Sequence, residues 1–180
     1  MSKALGLIEF SSISQGIEVG DILLKAAFVE VEMLKHVCPG KFMIIISGDV
    51  EEVTEATEKV KDLNSKRLVE TYVIANAHEA LIEGLKKRPI INEYNAIGVM
   101  ELTTIASSLV ALDSALKSSS VKLVKVILGN GIGGKSYFII SGSVSSVEEG
   151  LKVASSIIDS KRIIHKVVIP SPSKLLLKNL

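Results

Sequence analysis

Ala4-Leu-Gly-Leu-Ile-Glu-Phe10 comes back 92 positions later as Ala96-Ile-Gly-Val-Met-Glu-Leu102. At the same offset Asp21-Ile-Leu-Leu-Lys25 returns as Asp113-Ser-Ala-Leu-Lys117. After a two-residue insertion, Lys41–Val50 (KFMIIISGDV) returns as Lys135–Val144 (KSYFIISGSV), and Ser65-Lys-Arg-Leu-Val69 as Ser160-Lys-Arg-Ile-Ile164. Two copies of one unit of about 85–90 residues thus account for nearly the whole chain of 180. Each copy is large enough to own a core, so the pattern is a duplicated domain and not a solenoid.

Working outward from 4–10, which reads as a strand, residues 12–27 carry apolar positions Ile13, Ile17, Ile22–Leu24 and Ala26–Ala27. These suit an amphipathic helix entered through Ser11 or Ser12. Residues 29–37 alternate Val29, Val31, Met33 and Lys35 against Glu30, Glu32, Leu34 and His36, a strand with a partly polar face. Pro39-Gly40 is a turn signal before the β-rich run 41–47, so the two runs form a hairpin. Asp49 is expected to cap a helix over 50–64, and 68–74 is the last strand. The order βαββαβ is the ferredoxin-like arrangement, an antiparallel sheet with both helices on one face, in the α+β class. Copy two repeats it as strand 96–102, helix 104–117, strands 121–128 and 135–141, helix 144–159 and strand 163–169. A short helix follows each copy, over 78–86 and 173–180. The expected division is a first domain 1–88, a linker 89–95 and a second domain 96–180.

Composition excludes several classes. Hydrophobic residues make up 47% and mean hydropathy is +0.41, yet no apolar run reaches the 18 or more residues of a membrane helix. The excess apolar surface suggests strands buried on both sides or interfaces between subunits. A net charge of +1 with scattered basic residues gives no electrostatic footprint for nucleic acid, and 4% aromatics without Trp give no stacking platform. One cysteine excludes an intrachain disulfide framework, and together with the lack of a signal-like start it points to the cytoplasm.

Four features could carry chemistry. Gly129-Asn-Gly-Ile-Gly-Gly-Lys-Ser136 fits the phosphate-cradle pattern GxxxxGK[ST]. A cradle needs a helix directly after its lysine, but Tyr137-Phe-Ile-Ile140 has strand composition, and the repeat makes the loop a hairpin tip. His36, His78 and His165 show no metal-ligand spacing, although His36 has the strand parity of Cys38. Glu9 and Glu101 are equivalent strand residues, each followed by a helix start, and duplication alone explains the pairing. No spacing supports a catalytic constellation, and the chain is not expected to be an enzyme. Cys38, in His36-Val-Cys-Pro-Gly-Lys41, has two open readings. It is either a partly buried thiol serving as a small hydrophobe or a reactive thiolate at a tight loop tip, favoured by nearby Lys41.

The AxGxIE pattern of the first strand, the DxxLK late in the first helix and KxxxIISGxV after the loop resemble bacterial microcompartment shell domains, in order and in both copies. CPGKF in the first loop and GIGGK in the second resemble tandem-domain shell proteins of the propanediol-utilisation type. The resemblance implies a homotrimer whose six domains form a pseudo-hexagonal tile, packed edge to edge with other shell proteins in a facet enclosing metabolic enzymes. Encapsulated redox enzymes are a further implied partner; nucleic acid and membrane are not. Lys25 and Lys117 match the family's tile-edge lysine. The loops with Val37, Pro39, Gly40 and Lys41, and with Gly131, Gly133, Gly134 and Lys135, match those converging on the central axis. Cys38 is similar to the cysteine that binds a 4Fe–4S cluster on that axis, implying electron transfer across the shell; an unmetallated pore for small molecules is the alternative. The family's I-P-R-P-H segment is altered to Ile169-Pro-Ser-Pro-Ser173 and Ile74-Ala-Asn-Ala-His78 here, so its arginine is missing from both copies.

Overall fold

The computed structural model describes residues 3–87, 89 and 95–180. Most of the expected linker 89–95, and residue 88 at the end of the expected first domain, lie outside them. In the first repeat β1 (Ala4–Phe10), α1 (Ile13–Ala26), β2 (Glu30–Val37), β3 (Lys41–Gly48), α2 (Val50–Asp62) and β4 (Leu68–Ile74) follow one another, and α3 (Glu79–Lys86) comes after. The second repeat gives β5 (Ala96–Leu102), α4 (Ile105–Ser118), β6 (Lys122–Leu128), β7 (Ser136–Gly142), α5 (Val144–Ser156) and β8 (Ile163–Pro170), then α6 (Lys174–Asn179). The sheets run β2-β3-β1-β4 and β6-β7-β5-β8. This is the ferredoxin-like arrangement expected, twice.

The compact units are not the repeats themselves. Met1–Ala77 forms one unit together with Thr104–Ser107 and Leu128–Lys135; His78–Thr103, Ser108–Ile127 and Ser136–Leu180 form the other. In the first unit, Ile8 and Phe10 of β1 pack with Phe42, Ile44 and Ile46 of β3 against Val19 and Leu23 of α1 and Ala56 and Val60 of α2. All these strand residues share one parity, so both helices cover one face. Each large side chain fully buried there contributes about 1.5–3 kcal/mol of transfer free energy. Every residue of β1 is buried, so both faces of this central strand are covered, and it reads as an unbroken apolar run for that reason. In the second unit, Ile97, Val124 and Ile139 pack with Leu177 and Leu180 of the terminal segment.

Four local expectations needed correction. In α1 the buried positions are Gly16, Val19, Gly20 and Leu23, while Ile13, Ile17, Ile22 and Leu24 face outward. The pairing of β2 with β3 shifts register between Val31 and Met33, so Glu32 is extra and the alternation inverts. Val31 therefore shares a face with Leu34 and His36, not with Met33. Asp49 stands at the N-cap of α2 without a side-chain capping bond, whereas its repeat partner Ser143 accepts from the Ser146 N–H at 3.1 Å. Finally, α5 stops at Ser156, and a 3₁₀ turn over Ser160–Arg162 leads into β8.

Gly16 lies directly over Phe42: a Cβ there would stand 2.5 Å from the Phe42 Cβ and Cδ1. At the equivalent positions copy two has Ser108 and Ser136, a larger residue on the helix and a smaller one on the strand. Gly16→Ala overpacks this contact, and we expect it to lower stability by about 1–3 kcal/mol, read from the urea midpoint.

Candidate functional site

The hairpin of β2 and β3 pairs down to Val37 and Lys41, and Cys38–Gly40 makes the turn. The Gly40 N–H donates to the Val37 carbonyl at 3.1 Å, and Gly40 takes φ +116°, a conformation that glycine adopts without steric cost. Val37 is buried and anchors the tip, while Cys38, Pro39 and Gly40 are exposed. The Cys38 thiol is free and exposed, which removes its reading as a buried small hydrophobe.

The second repeat's loop lies in the same compact unit, against this tip. Gly134 is buried so closely that a Cβ would stand 2.8 Å from Pro39 Cδ and closer still to the Cys38 carbonyl oxygen. Gly129 sits equally close to Val37. Gly131 and Gly133 are exposed with open space around them, and Lys135 is exposed at the loop's end. Gly129, Gly131, Gly133 and Gly134 all have positive φ, and the Gly129 N–H closes the loop onto the Lys135 carbonyl at 3.0 Å. β7 begins at Ser136, directly after the lysine. No helix follows to present N–H groups to a phosphate, as the repeat predicted.

Beside the tip lies a contact that sequence reading missed. Glu9 is fully buried at the end of β1. Its Oε1 accepts from Lys41 Nζ at 2.8 Å, and its Oε2 accepts from the Ile105 and Ala106 backbone N–H groups at 2.8 and 3.2 Å. Those N–H groups belong to the first turn of α4, where a helix has no internal acceptors and carries partial positive charge. Lys41 also reaches the Gly134 carbonyl at 3.5 Å. Its ammonium is thus tied to Glu9 and to the second loop. Glu70 on β4 accepts from Thr104 Oγ1 at 2.6 Å and Ser107 Oγ at 2.7 Å, on the same helix turn. The available signal was a glutamate recurring at one strand position before each helix; duplication explained the recurrence but not why a carboxylate belongs there.

Lys25 and Lys117 each close the last turn of a helix and each pairs four residues back, with Asp21 at 2.7 Å and Asp113 at 2.5 Å. His36 is exposed on β2. His78 caps α3, its Nδ1 accepting from the Ala80 N–H at 3.2 Å, while its own N–H donates to Asp113 Oδ1 at 2.8 Å. Among the described residues no group of three or more His, Cys, Asp or Glu side chains is placed to hold a metal ion. One chain therefore offers one exposed soft donor.

The BMC domain family matches residues 4–77 and again 96–172. The chain belongs to this family. It is 36% identical over 173 residues to the bacterial microcompartment shell protein PduT of Citrobacter freundii, covering 96% of this chain and 94% of that one. One repeat's length, 85 residues, is 33% identical to the carboxysome shell protein CcmK1 of Thermosynechococcus vestitus, 45% of this chain and 75% of that protein. A crystal structure of a microcompartment protein from Desulfitobacterium hafniense superposes with a TM-score of 0.86 at 35% identity, covering 99% of both chains. The chain is accordingly a shell protein of a bacterial microcompartment, and its relatives are structural. Among the described residues no helix is long and apolar enough to cross a membrane.

Within this BMC-family chain the Glu9 contact is open to a direct check. Glu9→Gln keeps an acceptor for the helix N–H groups but leaves the Lys41 ammonium, itself mostly buried, without its counter-charge. We expect a loss of about 3–5 kcal/mol in denaturant unfolding, since removing one partner of a buried ion pair strands the other.

Proposed function

We propose that three copies of this chain close into a pseudo-hexagonal shell tile, with the Cys38 tips meeting on its three-fold axis and holding a 4Fe–4S cluster. The observation that carries this reading is the single exposed thiol at a hairpin tip against which the second repeat's tip is also packed. The donor chemistry fits such a cluster only in an assembly. A cluster of this kind is normally held by four cysteine thiolates, and one chain supplies one. Three copies supply three soft donors, and the remaining iron takes a ligand other than cysteine.

The chain's own residues keep the donor in place. Val37, buried, fixes the strand end; Gly40 permits the reversal; Gly134 lies against the Cys38 carbonyl; Lys41 links tip, Glu9 and second loop. When bound, the cluster would supply one-electron transfer between the two sides of the shell. Lys25 and Lys117 are proposed to meet neighbouring shell proteins at the tile edge, and encapsulated redox enzymes would exchange electrons with the axis. The second reading, an unmetallated pore for small molecules, draws on the exposed Gly131 and Gly133 with open space around them.

Anaerobic purification followed by iron and acid-labile sulfide assays separates the two. The cluster reading expects about four irons per three chains, with the matching visible absorbance, and loss of both in Cys38→Ser. Native protein nearly free of iron, or a serine variant that keeps it, leaves the open pore. A chain that sediments as a stable monomer sinks the tile.

A further inference from the structure

Asn130-Gly131 is the chain's one Asn–Gly step, and both residues are exposed in the second repeat's hairpin loop. The Asn130 N–H donates to the Leu128 carbonyl at 2.9 Å, which holds the backbone just before the step. Beyond it the chain is open: Gly131 takes φ +73°, and a Cβ on it would meet only empty space. Among the described residues nothing accepts from the Gly131 N–H, and the Asn130 carboxamide makes no hydrogen bond.

An asparagine can react with its own backbone, because the next residue's amide nitrogen can close a five-membered ring onto Cγ. Three things hold that reaction back: a Cβ on the next residue, a bond to the attacking N–H, and a tethered side chain. None of them applies at Asn130. The other described asparagines show the contrast. Asn76 precedes Ala77, whose N–H donates to the Lys3 carbonyl at 3.0 Å. Asn64 precedes a serine, and its side chain donates to the Asp62 carbonyl at 3.3 Å. Asn95 and Asn179 precede alanine and leucine, each with a Cβ.

We propose that Asn130 is a site of spontaneous modification, where the chain converts its own asparagine to aspartate and isoaspartate. Solvent base removes the Gly131 amide proton, and the nitrogen forms a bond to Asn130 Cγ. The Cγ–Nδ2 bond breaks, and ammonia leaves with a proton from water. Water then opens the cyclic imide. Breaking the new bond to Cγ gives aspartate; breaking the bond to the Asn130 backbone carbonyl carbon gives isoaspartate. Water is the only reagent consumed, and nothing is oxidised or reduced.

The product carries a carboxylate where the loop had a neutral amide. Lys135 is the loop's only charged side chain, so the carboxylate cancels the loop's formal charge. Isoaspartate also lengthens the main chain within the segment that the Gly129 N–H closes onto Lys135. Gly134 of the same loop lies against Cys38 and Pro39, so the change falls beside the thiol's tip. The reaction belongs to the single chain and needs neither the tile nor the cluster.

The test incubates folded wild type, Gly131→Ala and Asn130→Gln at neutral and mildly alkaline pH, with circular dichroism as the folding check. Trypsin releases Val126–Lys135, and mass spectrometry reads the amide-to-acid change against a sample digested at the start. In the wild type the acid form should accumulate, faster at the higher pH, as separate aspartate and isoaspartate peaks. Gly131→Ala should slow this by at least about tenfold, because the added Cβ crowds the attacking nitrogen. Asn130→Gln, one methylene longer, should keep its amide, as should Asn64 in its own peptide. A folded wild type that keeps Asn130 while a synthetic Val126–Lys135 peptide converts overturns the proposal. Conversion no faster than in Gly131→Ala, or Asn64 converting at the same rate, overturns it too.

Discussion

A carboxylate with no access to water holds three parts of this chain together. Burying Glu9 costs several kcal/mol unless the charge is met in full, and Lys41 with two helix N–H groups meets it. The three partners come from different places in the sequence: the start of β3 and the first turn of α4 are brought to the end of β1. Because Lys41 is the residue where β3 leaves the hairpin turn, and also reaches the Gly134 carbonyl, the same charge network sets where the Cys38 tip and the glycine loop lie. The exposed thiol is therefore positioned by interactions made entirely beneath it. The exposed thiol there has its place fixed from within the core.

Duplication gives the molecule two copies of every such device and then relaxes one of each pair. Gly16 over Phe42 is replaced in the second repeat by Ser108 and Ser136, a larger residue on the helix and a smaller one on the strand. Ser143 caps α5 where Asp49 makes no capping bond on α2. The tip CPG becomes the longer GNGIGG, trading the thiol for backbone freedom. A homomeric ring of single-repeat chains must put the same loop at every position around its axis. A tandem chain is released from that constraint, so one loop can carry the exposed thiol while the other packs beside it.

Most of the fold was legible because its signals are local and repeated. The apolar runs 4–10 and 41–47 read as strands, and each element recurred in the second copy, so a weak reading in one copy was checked by the other. What misled was also local. The helix pattern of α1 was read from Ile13 and Ile17, yet the face turned to its own sheet is the one built on two glycines, which carry no hydrophobic signal. The inverted alternation of β2 follows from a single extra residue, Glu32, that no composition rule announces. The Glu9 contact spans 96 positions to Ile105, and no periodicity links a strand end to the backbone of a distant helix turn.

Under the proposed tile, the thiol would need no spacing motif. Motifs such as CxxC exist because one chain must bring several ligands to one ion, so the ligands leave a record of their separation. A site completed by rotational symmetry needs one donor per chain, and the operator supplies the rest. If the proposed three-fold tile forms, Cys38 and His36 would each arrive in threes, so a four-iron cluster held there would need one ligand that neither residue can supply.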